Sequence, residues 1–226
     1  EMCSFGAAVS DYTALGEPDR FQVLRRGVPV GEVAWSLSGQ HNQLNALAAI
    51  AAAEHVGVDP ASAARALADF QNVRRRMELR GSVQLPDADP AARAVRVFDD
   101  FAHHPTAIRT TVDGLRRQVG DSVRILAVFE PRSNTMKLGT MKSQLPWALE
   151  ESDLAFCHSG GLDWNAAEAL APMGPQAQVH DRIDTLVAAV VKAARPGDHV
   201  LCMSNGGFGG IHAKLLDALT ALAARG

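Results

Sequence analysis

The sequence contains few cysteines, and their spacing fits neither a disulfide framework nor a metal site. Only Cys3, Cys157 and Cys202 occur in 226 residues, and no two of them form a CxxC motif. An odd number of cysteines at wide spacing indicates reduced thiols in a cytoplasmic protein. Cys157 and Cys202 fall in apolar runs, where we expect buried strands.

The sequence also lacks an excess of positive charge. Lys and Arg number 22 against 25 Asp and Glu, giving a net charge of −3 and a pI near 6.2. The one basic cluster, Arg74–Arg76 with Arg80, is short and lies beside apolar residues. Nucleic-acid binding needs a basic arm or face, so we expect no nucleic-acid partner.

No hydrophobic run is long enough to cross a membrane. The longest apolar helical stretch, Ala46–Ala53, ends at Glu54, whereas a spanning helix needs about 20 apolar residues. No signal peptide is visible either. We therefore expect no membrane partner.

Two common catalytic motifs are missing. No GxxxxGK[ST] phosphate-binding loop occurs, since Lys142-Ser143 follows Met141 within a helical pattern. No GxSxG nucleophile elbow occurs, and no cysteine has the context of a nucleophile. The chain thus contains no motif that would cradle a phosphate.

The first part of the chain is predicted to be a small α+β piece. Phe21–Leu24 and Val28–Val33 indicate a hairpin, because both are apolar runs separated by a Gly-containing turn. A helix is expected to start at His41–Asn45 and to end at Gly57. Asp59-Pro60 then predicts the N-cap and first residue of a helix that runs to about Phe70. The domain boundary is predicted near Arg80–Gly81.

After this boundary the pattern predicts an α/β domain. A hairpin of Ser82–Leu85 and Ala94–Phe98 flanks a turn at Pro86–Pro90. Apolar runs typical of buried strands then alternate with amphipathic helical patterns, which favours a mostly parallel, Rossmann-like sheet with helices on both faces. The expected strands are Val123–Phe129, Leu154–Cys157, Gln178–His180 and His199–Met203, and the expected helices are Pro105–Val119, Lys137–Leu149, Trp164–Leu170, Arg182–Ala194 and Ile211–Ala224.

The segment Asp99–Thr106 is a candidate site because it places two carboxylates and two imidazoles where a strand meets a helix. It could hold a metal ion or perform acid–base catalysis. However, His103 and His104 are adjacent, so their side chains point in opposite directions in an extended chain. Asp100 could instead accept ribose hydroxyls, or simply cap backbone amides ahead of Pro105.

The segment His41–Asn45 is a second candidate. Asn42 and Asn45 lie three residues apart on one side of the predicted helix, where their amides could read a base edge. The alternative is that one asparagine caps the helix.

Two polar loops follow predicted strands. Glu130–Lys137 contains Arg132 and Lys137 among hydroxyl and amide side chains, which suits a carboxylate or phosphate ligand, although a solvated loop is an equal alternative. Ser204–Gly210 contains four glycines that would let the backbone approach a ligand, or would form a tight turn. Its spacing does not match GxGxxG.

Taken in order, these motifs resemble the Mur ligase family, the ATP-dependent amide ligases of bacterial cell-wall precursors. The matching segments are His41-Asn42-x-x-Asn45, Arg75-Arg76-Met77-Glu78, Asp99–Thr106, Phe129–Ser133 and Ser204–Gly207. The family has a UDP-sugar-binding domain, a central ATPase domain and a C-terminal Rossmann-like domain. The resemblance implies that residues 1–80 are the tail of the central P-loop-type domain and that residues 81–226 are the C-terminal domain.

The resemblance also implies roles for particular residues. Those expected to contact ATP are Asn42, Asn45, Arg76 and Asp100, and those expected to face a peptide substrate are Arg132, Ser133, Asn134, Lys137, Ser204 and Asn205. His103 and His104 are possible cleft residues, and no residue is assigned to catalysis or to metal. The P-loop and the Mg²⁺ ligands of the family belong to an upstream part, so we expect this piece to be inactive alone.

The implied reaction activates the carboxylate of UDP-N-acetylmuramate with ATP and Mg²⁺ to an acyl phosphate. The amine of the murein tripeptide L-Ala-γ-D-Glu-meso-diaminopimelate then attacks, in a bacterial cytoplasmic pathway of peptidoglycan recycling. Within the family, an L-alanine ligase is the alternative. A non-catalytic peptide- or nucleotide-binding module and, more remotely, a metal hydrolase using Asp99, Asp100, His103 and His104 are the rival classes.

Overall fold

The chain divides into two compact units, the first ending at Val73 and the second beginning at Arg74. The computed structural model describes residues 4–6, 10–37, 39–71, 73–86 and 93–225. The boundary expected at Arg80–Gly81 falls within the strand Glu78–Val83. Because this strand pairs with Val95–Asp100, it belongs to the second unit.

The first unit is a three-stranded antiparallel sheet with two helices. Its elements are β1 (Tyr12–Glu17), β2 (Arg20–Arg25), β3 (Val28–Ala34), α1 (Gln40–His55) and α2 (Pro60–Ala66), followed by a turn of 3-10 helix, Leu67–Asp69. The predicted hairpin is confirmed as β2 and β3, and β1 extends it to the order β1-β2-β3. Phe21 and Val33 from the sheet pack with Leu47 and Ile50 from α1 in a buried core.

The expected end of α1 and start of α2 are confirmed, whereas the helix expected to run to about Phe70 ends as α-helix at Ala66 and continues as the 3-10 turn Leu67–Asp69. After α1, the Gly57 N–H donates to the Glu54 carbonyl at 2.9 Å, and Gly57 adopts a φ of +91° that ends the helix. Asp59 caps α2 by accepting from the backbone N–H of Ser62, with Pro60 in the first turn. Gly57, Asp59 and Pro60 are unfavourable inside a helix but favourable at its ends, which explains where α1 ends and α2 begins.

The second unit contains a six-stranded sheet in the order β4-β5-β9-β6-β7-β8. The strands are β4 (Glu78–Val83), β5 (Val95–Asp100), β6 (Ile125–Phe129), β7 (Leu154–His158), β8 (Ala177–His180) and β9 (His199–Met203). β4 pairs antiparallel with β5, and the remaining pairs are parallel. The predicted mostly parallel, Rossmann-like sheet is therefore confirmed.

Side chains of the central strands alternate between two cores on opposite faces of the sheet. Along β6, Ile125, Ala127 and Phe129 enter one core. Leu126 and Val128 enter the other. Successive side chains of a strand point to opposite faces of the sheet, so a strand that is buried on both faces has a continuous run of apolar residues in its sequence.

The helices of the second unit cover both faces. They are α3 (Pro105–Val119), α4 (Asn134–Lys137), α5 (Leu145–Ala148), α6 (Ala166–Leu170), α7 (Ile183–Ala193) and α8 (Ile211–Ala223). Residues of α3, α5 and α6 contribute to one core, and residues of α7 and α8 contribute to the other.

The prediction of one continuous helix over Lys137–Leu149 is wrong. The segment contains the end of α4, a short 3-10 helix at Lys142–Gln144, and α5. Gly139 between them has a φ of +70°, and a Cβ there would lie 2.9 Å from Cδ1 of Trp164. This close approach of backbone to an indole ring requires glycine and ends the helix.

Cys157 on β7 and Cys202 on β9 are buried free thiols, as expected. Burial raises the pKa of both thiols, which disfavours the nucleophilic thiolate. Cys3 and most of the predicted turn at Pro86–Pro90 lie outside the described residues. Among the described helices, none is both long and apolar enough to cross a bilayer.

Candidate functional site

The candidate site lies where the parallel strands of the second unit end. In the registers of β5, β9 and β6, Asp100 is level with Met203, and Met203 is level with Phe129. The loops that follow these strands therefore emerge side by side at one edge, here called the carboxyl edge, where open α/β sheets bind ligands. The candidate loops after β5, β6 and β9 are brought together as the sequence predicted.

The Asp100 carboxylate is engaged by the backbone. Its Oδ1 accepts from the N–H of Ala102 at 2.8 Å and its Oδ2 accepts from the N–H of Met77 at 2.9 Å. The Thr111 hydroxyl lies 3.4 Å from Oδ1. Asp100 therefore caps backbone N–H groups in this structure, which is one of the two interpretations given above. Burial raises the pKa of its carboxyl group.

Arg76 lies beside this carboxylate, with Nη1 at 3.9 Å from Oδ1 of Asp100. Its side chain is 48% exposed, whereas that of Asp100 is only 4% exposed. The Arg76 guanidinium also lies over the Phe101 ring, 5.4 Å from the centroid. The exposed guanidinium can receive an anionic ligand, but the buried carboxylate is reached only if its neighbours move.

The two adjacent histidines have separate environments. Nδ1 of His103 donates to the Phe101 carbonyl at 2.9 Å, since a carbonyl can only accept. His104 occupies the N-cap position of α3, and Pro105 is in the first turn as predicted. Both imidazoles are half-buried.

The four residues of the metal-hydrolase alternative do not form one ligand set. Asp99 pairs with an arginine, Asp100 accepts backbone N–H groups, and His103 bonds a carbonyl. Across the described ranges, no cluster of three or more His, Cys, Asp or Glu side chains is arranged to hold a metal ion.

Glu130 organises the junction of three loops. The Ser204 hydroxyl donates to its Oε2 at 2.8 Å, and Nδ1 of His158 at the end of β7 lies 3.6 Å from Oε1. The Glu130 and His158 side chains are each 12% exposed. Neither residue was predicted from the sequence to have a role, although each lies at the end of a buried strand, which is the same signal that indicated Arg132.

Arg132 extends from this junction across the glycine-rich loop. A Cβ on Gly206 would lie 2.7 Å from Nη1 of Arg132, so the guanidinium rests directly on this glycine. Neither Arg132 nor Lys137 forms an ion pair with a carboxylate in the part of the chain that the structure describes. A side chain at Gly206 would therefore displace the guanidinium from its place in this structure.

The other predicted residues of the Glu130–Lys137 loop form a short helix. Ser133 caps α4 by accepting from the Met136 N–H, so its hydroxyl has a structural role. Asn134 and Lys137 lie within α4, Asn134 exposed and Lys137 half-buried. The loop is thus a short capped helix, with Arg132 and Asn134 exposed to solvent as in the solvated alternative.

Asn205 contributes a buried acceptor. Its Oδ1 is inaccessible to solvent and has no hydrogen-bond partner among the described residues. The following glycines form a tight turn, in which Phe208, Gly209 and Gly210 all have positive φ. Ile183 lies 3.0 Å from a Cβ placed on Gly209, so this part of the loop is compact because it packs against α7.

Asp99 belongs to a buried charged cluster that sequence reasoning missed. Nε of Arg75 lies 3.2 Å from its Oδ2, and Nε2 of His212 lies 3.3 Å from its Oδ1. Burial lowers the pKa of His212, although Asp99 acts in the opposite direction. His212 is far from Asp99 in sequence, so only the sheet topology could reveal the pairing.

The remaining predicted residues lie in the first unit. Asn42 and Asn45 are inside α1, and the helix begins after Gly39, whose N-cap position has no side-chain hydrogen bond. The capping alternative for an asparagine is therefore wrong. Asn42 is half-buried and Asn45 is exposed.

Comparisons with known proteins agree on one family. The family described as "Mur ligase, glutamate ligase domain" matches residues 75–206. The UDP-N-acetylmuramate–L-alanyl-γ-D-glutamyl-meso-2,6-diaminoheptandioate ligase of Escherichia coli is 52% identical over 90% of this chain and 43% of its own length. A UDP-N-acetylmuramate–L-alanine ligase of Cyanothece sp. is 32% identical, covering 87% of this chain and 42% of its own.

A solved structure, that of a murein peptide ligase from Psychrobacter arcticus, superposes with a TM-score of 0.69. It is 38% identical, and the match covers 96% of this chain and 45% of that one. The chain thus spans less than half the length of the curated relatives that it matches.

Proposed function

The chain belongs to the Mur ligase family, and from this premise we propose that it supplies the acceptor-peptide contacts of an ATP-dependent amide ligase. The proposed reaction joins UDP-N-acetylmuramate to L-Ala-γ-D-Glu-meso-diaminopimelate through an acyl phosphate. The observation that carries the proposal is the carboxyl edge, where Arg132 rests on Gly206 beside Ser204 and Asn205. The higher identity to the E. coli tripeptide ligase than to the alanine ligases favours this substrate.

The chemistry of the peptide fits this edge. The tripeptide carries several carboxylates, and an arginine fork binds a carboxylate through two parallel hydrogen bonds. Asn205 Oδ1 and Ser204 add polar groups on the same loop. In this proposal Arg132, Lys137 and Asn205 bind and orient the peptide. Ser204 is buried and bonded to Glu130, so its part is to hold the loop in place, while Ser133 and Asn134 form the short helix beside it.

The four residues proposed to contact ATP differ in how readily they could reach it in this structure. The exposed guanidinium of Arg76 suits a phosphate. Asp100 already accepts from two backbone N–H groups, so a ribose contact requires the surrounding loop to move. Asn42 and Asn45 remain proposed adenine contacts.

The phosphoryl group of ATP activates the muramyl carboxylate in the proposed reaction, and Mg²⁺ is assigned, as the resemblance implies, to the family's upstream ATPase part. The share of this chain is to hold the amine nucleophile in position, which converts a bimolecular encounter into an oriented one. Because ATP and UDP-linked sugars are the reactants, we place the reaction in the bacterial cytoplasm, in the reuse of wall peptide.

The test is substrate choice in the complete natural protein that carries this chain. With ATP, Mg²⁺ and UDP-N-acetylmuramate, we expect mass spectrometry to detect the tripeptide adduct, with L-alanine used at least about 100-fold less efficiently in kcat/KM, because a site built around buried polar groups rejects a ligand that leaves them unpaired. Preferential use of L-alanine would instead support the alanine-ligase alternative. ATP-independent peptide binding without product would support the binding-module alternative.

A further inference from the structure

Arg75 connects the start of the second unit to the loop after β9. Its Nη2 donates to the carbonyls of Ser204 and Gly206, at 2.5 and 2.9 Å. Its Nε faces both oxygens of Asp99, at 3.2 and 3.3 Å. One guanidinium therefore satisfies a buried carboxylate and two carbonyls of the proposed peptide loop.

The same loop is held from its other side by Glu130. The Ser204 hydroxyl donates to Glu130 Oε2 and accepts from the N–H of Gly206 at 3.0 Å. Arg132 rests on Gly206. The three residues Ser204–Gly206 are thus fixed between Arg75 and Glu130, and their backbone is the surface on which Arg132 lies.

The backbone at Arg75 is strained to make this arrangement. Arg75 and Met77 have φ values of +60° and +50°, a region that side-chain-bearing residues rarely adopt. The turn is stabilised because Glu78 accepts from the Arg75 N–H and the Arg75 carbonyl accepts from the Phe101 N–H. Such strain persists only where surrounding contacts over-determine it, and it commonly serves a functional geometry.

A lysine could not make the same contacts. Its ammonium is a point charge on a flexible stem, whereas the planar guanidinium carries Nε toward Asp99 and Nη2 toward two carbonyls at fixed angles. A lysine at position 75 keeps a positive charge on the residue that faces the Asp99 carboxylate. This makes Arg75→Lys a mild probe of geometry at nearly constant charge.

We propose that Arg75 is a positioning residue for the acceptor peptide, acting through the Ser204–Gly206 loop without touching the peptide. The inference rests on the proposed function only in that this loop receives the peptide. Its consequence is specific: loss of the guanidinium geometry weakens peptide binding while the muramyl substrate binds as before.

The experiment compares Arg75→Lys with Arg117→Lys, a matched control at an exposed arginine near the end of α3. In the complete natural protein, Arg75→Lys is expected to raise the KM for the tripeptide by about tenfold, the effect of a lost charge-assisted hydrogen bond. The KM for UDP-N-acetylmuramate should change less than about twofold. Arg117→Lys should change neither constant.

A second readout needs no substrate. Amide NMR signals of Asn205 and Gly206 should shift in Arg75→Lys and not in Arg117→Lys, because Arg75 bonds the carbonyls of Ser204 and Gly206, whereas Arg117 is exposed on α3. Unchanged Asn205 and Gly206 signals, an unchanged tripeptide KM, or equal rises in both KM values would each overturn the proposal. If the wild-type protein does not use the tripeptide, the proposed function fails, and the amide signals still decide the role of Arg75.

Discussion

At the residue scale, the carboxylates of the carboxyl edge bind groups of the protein itself, whereas the guanidinium of Arg132 is exposed to solvent. Asp99 and Asp100 are buried, Glu130 is half-buried, and each of the three accepts from or pairs with groups of the second unit. Arg132 instead faces solvent above a glycine. Buried charges must be paired, whereas an exposed guanidinium retains its capacity for a ligand. Because of this contrast, we propose Arg132 as the residue that binds the peptide most directly.

Replacing Arg132 with alanine should weaken peptide binding selectively. A charge-assisted hydrogen bond contributes roughly 1.5–3 kcal/mol, so Arg132→Ala should raise the tripeptide KM of the complete protein by about tenfold or more. Arg117→Ala, at an exposed arginine near the end of α3, is the matched control. Steady-state kinetics that show the same tripeptide KM for both variants would remove Arg132 from the site.

His199 should make stability depend on pH. It is 8% exposed and packs against Phe98, and burial, reinforced by Arg96 and Arg93, lowers its pKa from 6.5 to about 4. Between these values the unfolded chain binds a proton that the folded chain does not, so its stabilising contribution is complete above pH 6.5 and is lost as pH falls toward 4.

The pH effect can be measured by urea unfolding at pH 7 and pH 5. Wild type should lose about 1–2 kcal/mol more stability on this acidification than His199→Gln. His103→Gln, which alters a histidine outside the core, should retain the wild-type difference. An identical loss in wild type and His199→Gln would show that another group dominates.

At the element scale, the long helices could be predicted from their hydrophobic periodicity, whereas the interruption of the helix expected over Lys137–Leu149 could not. α3, α7 and α8 agree with the expected helices to within a residue or two at their ends, because each carries an apolar face and clear end signals. The expected helix over Lys137–Leu149 failed because the approach of Trp164 to Gly139 is a tertiary contact. Similarly, the positions of Arg132 and Ser204 could be predicted, because each follows a recognisable strand. The cluster of Arg75, Asp99 and His212 could not, because these residues come from separate elements that only the folded sheet and α8 bring together.

α8 illustrates how an element fixes the site. It begins directly after the glycine-rich loop, and Ile211, Leu215 and Leu219 lie on its buried face. Leu215→Ala should lower the free energy of unfolding by about 2–5 kcal/mol, since it removes buried methyl groups and leaves a cavity. Leu222→Ala, at a position 40% exposed on the same helix, should cost about 0.5 kcal/mol or less. Denaturant unfolding compares the two, and equal losses would contradict the packing described.

At the scale of the whole molecule, the chain consists of two units with separate cores. The resemblance assigned nucleotide contacts to both units and peptide contacts to the second alone. The proposed peptide contacts all lie in the second unit, so they can be argued from the geometry of that unit by itself. The central claim is therefore that the carboxyl edge of the second unit holds the acceptor peptide.

The most direct test is an NMR titration of the isotope-labelled chain with L-Ala-γ-D-Glu-meso-diaminopimelate at millimolar concentration. We predict saturable amide shifts concentrated in the loops 132–137 and 204–206, and their loss in Arg132→Ala. Saturable shifts confined to other surfaces, or spectra that do not change at these loops, would contradict the account.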